Sequence, residues 1–163
     1  MSGETALFPA TFNGHLEVFK HLLEKSGTLT SNEDGYTCFH TAASYGRIYI
    51  LHHILDQDKL SIDVQANDGA TPLYCAASQG QWIAVFDLLN RGADISLSYL
   101  GGDTVVHLAA AEGHVVLARE LLDKDPRLID AQARLSQLQN DFNKTAHKEF
   151  ANQLIKSFII SIH

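Results

Sequence analysis

Residues 71–92 read TPLYCAASQGQWIAVFDLLNRG, and the stretch returns three more times along the chain. Residues 104–125 read TVVHLAAAEGHVVLARELLDKD, residues 37–58 read TCFHTAASYGRIYILHHILDQD, and residues 5–26 read TALFPATFNGHLEVFKHLLEKS. Each copy opens on a Thr (Thr5, Thr37, Thr71, Thr104) and reaches a Gly (Gly14, Gly46, Gly80, Gly113). Each then carries an aliphatic pair: Leu22-Leu23, Ile54-Leu55, Leu88-Leu89 and Leu121-Leu122. Successive glycines lie 32, 34 and 33 residues apart. A period near 33 marks a stacked repeat. Such a chain builds a surface rather than a pocket, which points to binding before catalysis.

Each position of the repeat has a physical task. The opening Thr can cap a first helix through its hydroxyl. Pro72 sits just inside that helix, where a missing N–H costs nothing. The small pairs Ala42-Ala43, Ala76-Ala77 and Ala109-Ala110 let neighbouring helices approach closely. The Gly can take a positive φ and reverse the chain. On the second helix, the aliphatic pair and the apolar residues a turn earlier (Val18, Phe19, Ile50, Leu51) are expected to face the stack.

The template resembles the ankyrin repeat, whose pattern runs T-P-L-H-x-A, then small residues, Gly-His and an amphipathic helix. The resemblance covers residues 4–131 as four units, about 4–35, 36–69, 70–102 and 103–131. It implies an all-α fold, an ankyrin-type solenoid of stacked helix-turn-helix repeats with hairpin tips. Asn32-Glu33-Asp34-Gly35, Asn67-Asp68-Gly69 and Gly101-Gly102 lie shortly before the next Thr, where tight reversals suit the tips. The longer loop Asp56 to Asp63 absorbs the stretch of the period to 34.

The departures are informative. Only the third unit keeps Thr-Pro. The first has Phe8 where His is expected and places Pro9 inside its helix, a feature of an atypical capping unit that can distort the first turns. Beyond Asp130 the template fades. Ala146 to Ile155 still echo a second helix, and Ala146 follows Gly113 by 33 residues. Residues 132–163 are therefore read as a degenerate fifth repeat or helical cap, with Leu135 to Asn143 as its polar first helix. The apolar run Phe158-Ile159-Ile160-Ser161-Ile162 closes that layer or marks a cut from a longer chain.

The chain has 163 residues, 45% of them hydrophobic, enough for a packed core. No stretch approaches the roughly 20 apolar residues that span a membrane. The start Met-Ser-Gly-Glu-Thr-Ala enters the first repeat at once, and no signal peptide is expected. Cys38 and Cys75 fall on first helices and read as buried thiols in a reducing cytosol. The formal charge of −7 and scattered bases argue against nucleic acid.

Nine histidines raise the question of metal or catalysis. His40 and His107 fill the T-P-L-H slot, where in ankyrin-like repeats the ring bonds neighbouring backbone. His15 and His114 fill the Gly-His slot and read as structural. His52 and His53 point about 100° apart on a helix. His21 and His53 share a slot on successive units, but no third ligand accompanies them. No G-x-S-x-G, Walker loop or H-E-x-x-H occurs. Gly101-Gly102-Asp103-Thr104 reads as a reversal between repeats rather than a phosphate cradle. No enzyme, cofactor or metal site is expected.

The resemblance places partner contacts on the concave side, at the tips and the exposed ends of the first helices. By register the tip positions are Glu4; Glu33, Asp34 and Tyr36; Asn67, Asp68 and Ala70; and Leu100, Gly101 and Asp103. The helix-end positions are Phe12 and Asn13; Ser44 and Tyr45; Ser78 and Gln79; and Ala111 and Glu112. Six of these eighteen are acidic and none is basic, which suits a basic peptide or protein surface held by aromatic anchors. A second surface lies on the outward side of the second helices, where Tyr49, Ile83, Phe86 and Val116 replace polar template residues; it is either an exposed apolar patch or is buried by a rotated helix around Trp82.

The leading reading is a cytoplasmic protein-interaction module with no chemistry of its own. The alternative is an ankyrin targeting domain of a larger protein, such as a bacterial effector delivered into a host cytosol.

Overall fold

The computed structural model of the chain describes residues 4–29, 31–57, 61–97 and 99–124. The expected fifth helix pair and the apolar run at Phe158 to Ile162 lie outside the described residues. Eight α-helices form among the described residues: α1 (Glu4–Asn13), α2 (Leu16–Ser26), α3 (Cys38–Ser44), α4 (Ile48–Asp56), α5 (Pro72–Ser78), α6 (Trp82–Asn90), α7 (Val105–Ala111) and α8 (Val115–Lys124). None of them is long and apolar enough to cross a membrane. Backbone contacts divide the chain into two compact units at Thr104/Val105.

In the first unit, α1 pairs with α2, α3 with α4 and α5 with α6. First helices stack on one another, α1 on α3 and α3 on α5, and α2 meets α4. The alanines make this possible: Ala42, Ala43, Ala76 and Ala77 are fully buried, so helix backbones lie close. Phe19, Phe39, Ile50, Leu51, Ile54, Leu73, Val85 and Leu88 fill the spaces between layers. In the second unit, α7 packs on α8 around Leu117 and Leu121.

Local chemistry sets the helix ends. Thr37 caps α3, its Oγ1 accepting from the Phe39 N–H at 3.2 Å. Thr71 caps α5, with Pro72 at the first helical position. Gly46 has φ +61° and reverses the chain, letting the Arg47 N–H reach the Ala42 carbonyl at 2.8 Å. The Gly80 turn repeats this, with the Gln81 N–H on the Ala76 carbonyl at 2.9 Å. Both close orphan carbonyls with a left-handed residue.

Three expectations change in the first helix pair. Thr5 lies inside α1 rather than ahead of it. Pro9 is contained in a continuous α1. Val18 is 52% exposed while Phe19 is fully buried. The slot of Val18 corresponds to Ile50, which is fully buried; among the described residues α2 has no helix pair before it.

Candidate functional site

The tips repeat one geometry. An N–H donates to a carbonyl four residues on: Asn32 to Tyr36 at 2.9 Å, Ala66 to Ala70 at 2.9 Å, and Tyr99 to Asp103 at 2.7 Å. Glu33 and Asp34 stand exposed at the first of these. Their backbone is fixed from the next repeat. The Asn67 N–H donates to the Asp34 carbonyl at 2.9 Å. Its Nδ2 donates to the Glu33 carbonyl, also at 2.9 Å. Asn67 is therefore a tie between tips as well as a surface residue.

Tyr36 and Asp68, both candidate contact residues, are half-buried and bonded to each other. The Tyr36 hydroxyl donates to Asp68 Oδ2 at 2.6 Å, and the Ala70 N–H donates to Oδ1 at 3.0 Å. Burial alone would raise the Asp68 pKa. Hydrogen bonds from Tyr36, the Ala70 amide, its own amide and Tyr99 outweigh that and hold it below its ordinary value. Burial, then the bond to Asp68, pushes the Tyr36 phenol far above its usual range. Asp68 is thus a braced charge between repeats, not a free tip carboxylate.

Tyr74 occupies the T-P-L-H slot of the third unit. Its ring stacks on Tyr99, centroids 4.6 Å apart and planes 16° apart. Burial, then the charge of Asp103, pushes its phenol up to about 12. Asp103 itself is half-buried, and Leu100 beside it is 62% exposed.

The helix ends are mixed. Phe12 and Tyr45 are 45% and 43% exposed and meet edge to face, centroids 4.4 Å apart. Gln79 and Glu112 are exposed, the latter in the second unit. Ser44 and Ser78 are half-buried and turned toward Cys75: the Ser78 hydroxyl donates to the Cys75 carbonyl at 2.9 Å, and Ser44 hydrogen-bonds the thiol. Arg47 borders this end although no candidate position is basic. Its Nε donates to the Phe12 carbonyl at 2.9 Å.

On the second helices, Tyr49 and Ile83 are 78% and 74% exposed. Phe86 is half-buried, so the face is only partly as expected. Val116, 71% exposed, belongs to the second unit. One turn on, His52 Nε2 stands 3.0 Å from Asp87 Oδ2. Arg91 is 3.4 Å from Asp87 and 3.6 Å from Asp56.

The histidines divide by environment. His40 is fully buried. Its Nδ1 accepts from the Thr37 N–H at 3.1 Å, which leaves Nε2 to donate to the carbonyls of Ala70 (3.0 Å) and Val64 (3.1 Å). Burial holds its pKa below the ordinary 6.5, against the pull of those carbonyls and Asp68. His53 sets its ring edge to face against Phe19, centroids 6.2 Å apart. His15, expected to be structural, is exposed and makes no side-chain cap bond. Among the described residues no group of three or more His, Cys, Asp and Glu side chains is placed to hold a metal. Cys38 and Cys75 are free and buried. Burial pushes their thiols up to about 11 and about 12, so both stay protonated and poorly nucleophilic at neutral pH.

The sequence reading passed over Arg47 and the Tyr74–Tyr99 stack. A signal existed for both. Arg47 fills the slot of His15 after the Gly, and Tyr74 stands where two other units carry His.

A family model described as ankyrin repeats in three copies matches residues 7–99, and a single ankyrin-repeat model matches residues 101–132. Human ankyrin repeat domain-containing protein 53 is 28% identical over 105 residues, covering 61% of this chain and 20% of that protein. A probable E3 ubiquitin-protein ligase, XBOS31, of Oryza sativa subsp. japonica is 32% identical over 123 residues, 73% of this chain and 27% of that protein. Leucine-rich repeat serine/threonine-protein kinase 1 of Caenorhabditis elegans is 29% identical over 152 residues, 80% of this chain and 6% of that protein. The chain spans about a quarter or less of each of these relatives.

Proposed function

This chain belongs to the ankyrin-repeat family, and from that premise we propose that it holds a protein or peptide of basic character against its tips. Ankyrin repeats generally mediate protein–protein interaction and are not catalytic. The observation that carries the proposal is the pair Glu33 and Asp34, exposed while Asn67 pins the backbone beneath them. Two acids on a pinned turn keep their positions when a partner arrives, so little ordering entropy opposes binding. A net charge of −7 adds a long-range field that speeds encounter with a basic surface.

The test is association kinetics with immobilised Lys/Arg-rich synthetic peptides at low and high salt. Asp34→Lys lowers the on-rate and flattens its salt dependence, with the melting curve unchanged. Asp68→Lys instead destabilises the first unit, because it breaks the bond to Tyr36. Glu17→Lys and Glu120→Lys, on second helices, leave binding intact. If those two abolish binding while Asp34→Lys binds normally, the tips are not the docking face, and the exposed Tyr49 and Ile83 surface replaces them.

A second reading comes from the relatives, which include a kinase and a probable ubiquitin ligase far longer than this chain. In it, the repeats are the partner-holding part of a larger protein whose chemistry lies elsewhere.

A further inference from the structure

The acids at the tips do not account for Arg47, the basic side chain at the other end of α3. Arg47 lies with its stem across the α1–α2 turn, Cδ only 3.1 Å from the point where a Cβ on Gly14 would stand. Its Nε is spent on the Phe12 carbonyl at 2.9 Å. The other arginine of the first unit, Arg91, is shared between Asp87 and Asp56. Arg47 has no acidic partner among the described residues, and its two terminal nitrogens take no acceptor there. It is a guanidinium held in place at one end and open at the other.

Beside it lie Phe12 and Tyr45, both more than two-fifths exposed and already in contact, centroids 4.4 Å apart. The three side chains are linked by the chain itself. Phe12 supplies the carbonyl that Arg47 holds, and Tyr45 is two residues before Arg47. Two pre-paired rings offer apolar contact area at low entropic cost, and a fixed guanidinium edge matches a carboxylate with two parallel hydrogen bonds.

We propose that Arg47, Phe12 and Tyr45 form a recognition site for a peptide carboxylate set next to an apolar side chain. The carboxylate takes the open edge of Arg47, and the neighbouring apolar group covers the ring pair. Charge complementarity selects this occupant, since a cationic segment would meet the unpaired charge of Arg47. The site lies at the far end of α3 from the tip acids, and a seven-residue helix spans roughly 10 Å. A partner that engages both ends therefore carries its basic residues and its acid on opposite sides. The site stands on residues that the tip reading does not use.

The test titrates the full chain, with its arginine and tyrosine side chains isotope-labelled, with three synthetic peptides. Two are acetylated and amidated, with sequence Gly-Leu-Glu-Leu-Gly in one and Gly-Leu-Gln-Leu-Gly in the other. The third, acetyl-Gly-Leu-Leu, has a free C-terminus and no acidic side chain. The expected result is about tenfold tighter binding of the Glu peptide than of the Gln peptide. The Arg47 Nε–H and Tyr45 ring resonances shift together during the titration. Arg47→Gln abolishes that discrimination with an unchanged melt. Tyr45→Ala weakens both peptides alike and leaves the ratio standing. Discrimination absent for the Glu peptide but full binding of the free C-terminus assigns the site to a terminal carboxylate. Equal binding of all three peptides, or discrimination that persists in Arg47→Gln, overturns the proposal. Asp34→Lys leaves every arm unchanged, so failure here is distinct from failure at the tips.

Discussion

Lowering the pH from 7 should loosen the first unit through one residue, His40. The ring is fully buried; its Nδ1 accepts from the Thr37 N–H and lies 3.0 Å from the Thr37 hydroxyl, and its Nε2–H is shared by two carbonyls. Only the neutral ring with its proton on Nε2 accepts the Thr37 N–H while donating to both carbonyls. A second proton would put N–H against N–H at Thr37. The folded pKa accordingly lies below 6.5, the unfolded value. The sign follows. Above 6.5 both states hold a neutral ring and the full stability is present. As the pH falls below 6.5 the unfolded chain binds a proton that the fold excludes. Stability then declines at up to about 1.4 kcal/mol per pH unit until the folded pKa is reached. Tyr36, with its ring 5.3 Å away, stays neutral throughout; Asp68, the nearby carboxylate, keeps its charge over this range because its pKa is lowered. Removing the ring has its own cost. His40→Ala strands the Thr37 N–H, removes the ring donor from the Val64 and Ala70 carbonyls and opens a cavity, roughly 3–5 kcal/mol at neutral pH. The assay is a set of urea melts at pH 7.5, 6.5, 5.5 and 4.5 on the parent and on His40→Gln. The parent loses more stability than the variant between pH 6.5 and 4.5. Parallel pH profiles for the two proteins would refute this account of His40.

Two further outcomes test the packing and the tips. Leu88→Ala, at a fully buried position, costs about 2–5 kcal/mol by denaturant melt, whereas Ile83→Ala, 74% exposed on the same helix, stays within about 0.5 kcal/mol. Gly35→Ala is strained by φ +82° and also drives a Cβ to 2.6 Å from Asn67 Oδ1 and 2.8 Å from its N. Gly27→Ala has a similar φ of +72° in open space. Gly35→Ala therefore costs at least about 1 kcal/mol more than Gly27→Ala in the same melt, and equal losses would mean that the tip contact carries no weight.

Features fixed by one residue's own needs were legible in the sequence. A Thr before a helix caps it, an Ala pair allows close approach, and a Gly after a helix takes positive φ; Thr37, Ala76-Ala77 and Gly46 do these things. Cross-repeat bonds were not legible, because they depend on which atoms meet when layers stack. Tyr36 and Asp68 were both marked as exposed contacts, yet they are 32 residues apart and bonded at 2.6 Å. The ring of Phe86 shows a different limit. Spacing placed it with Ile83 on one helix face, but spacing does not fix how much of a side chain its neighbours cover, and Phe86 is half-buried while Ile83 is exposed. Val18 and Ile50 share a template slot yet differ in burial, because a slot does not record what neighbours surround it.

The direction of the cross-repeat bonds has a consequence for how this surface could be altered or exchanged. Glu33 and Asp34 close the first repeat but are steadied by Asn67 at the end of the second. The end of α1 belongs to the first unit but is covered by Arg47 of the second. Gln81 of the third unit fills the space above Gly46, with its Oε1 2.5 Å from where a Cβ would stand. Each exposed edge is thus written partly in the next repeat's sequence. A cassette cut at Thr-to-Thr boundaries would move the display residues and leave their supports behind. The transferable segment for the first repeat runs on through the next repeat's tip to Asn67, so neighbouring cassettes overlap and a substitution in one repeat changes recognition in the repeat before it.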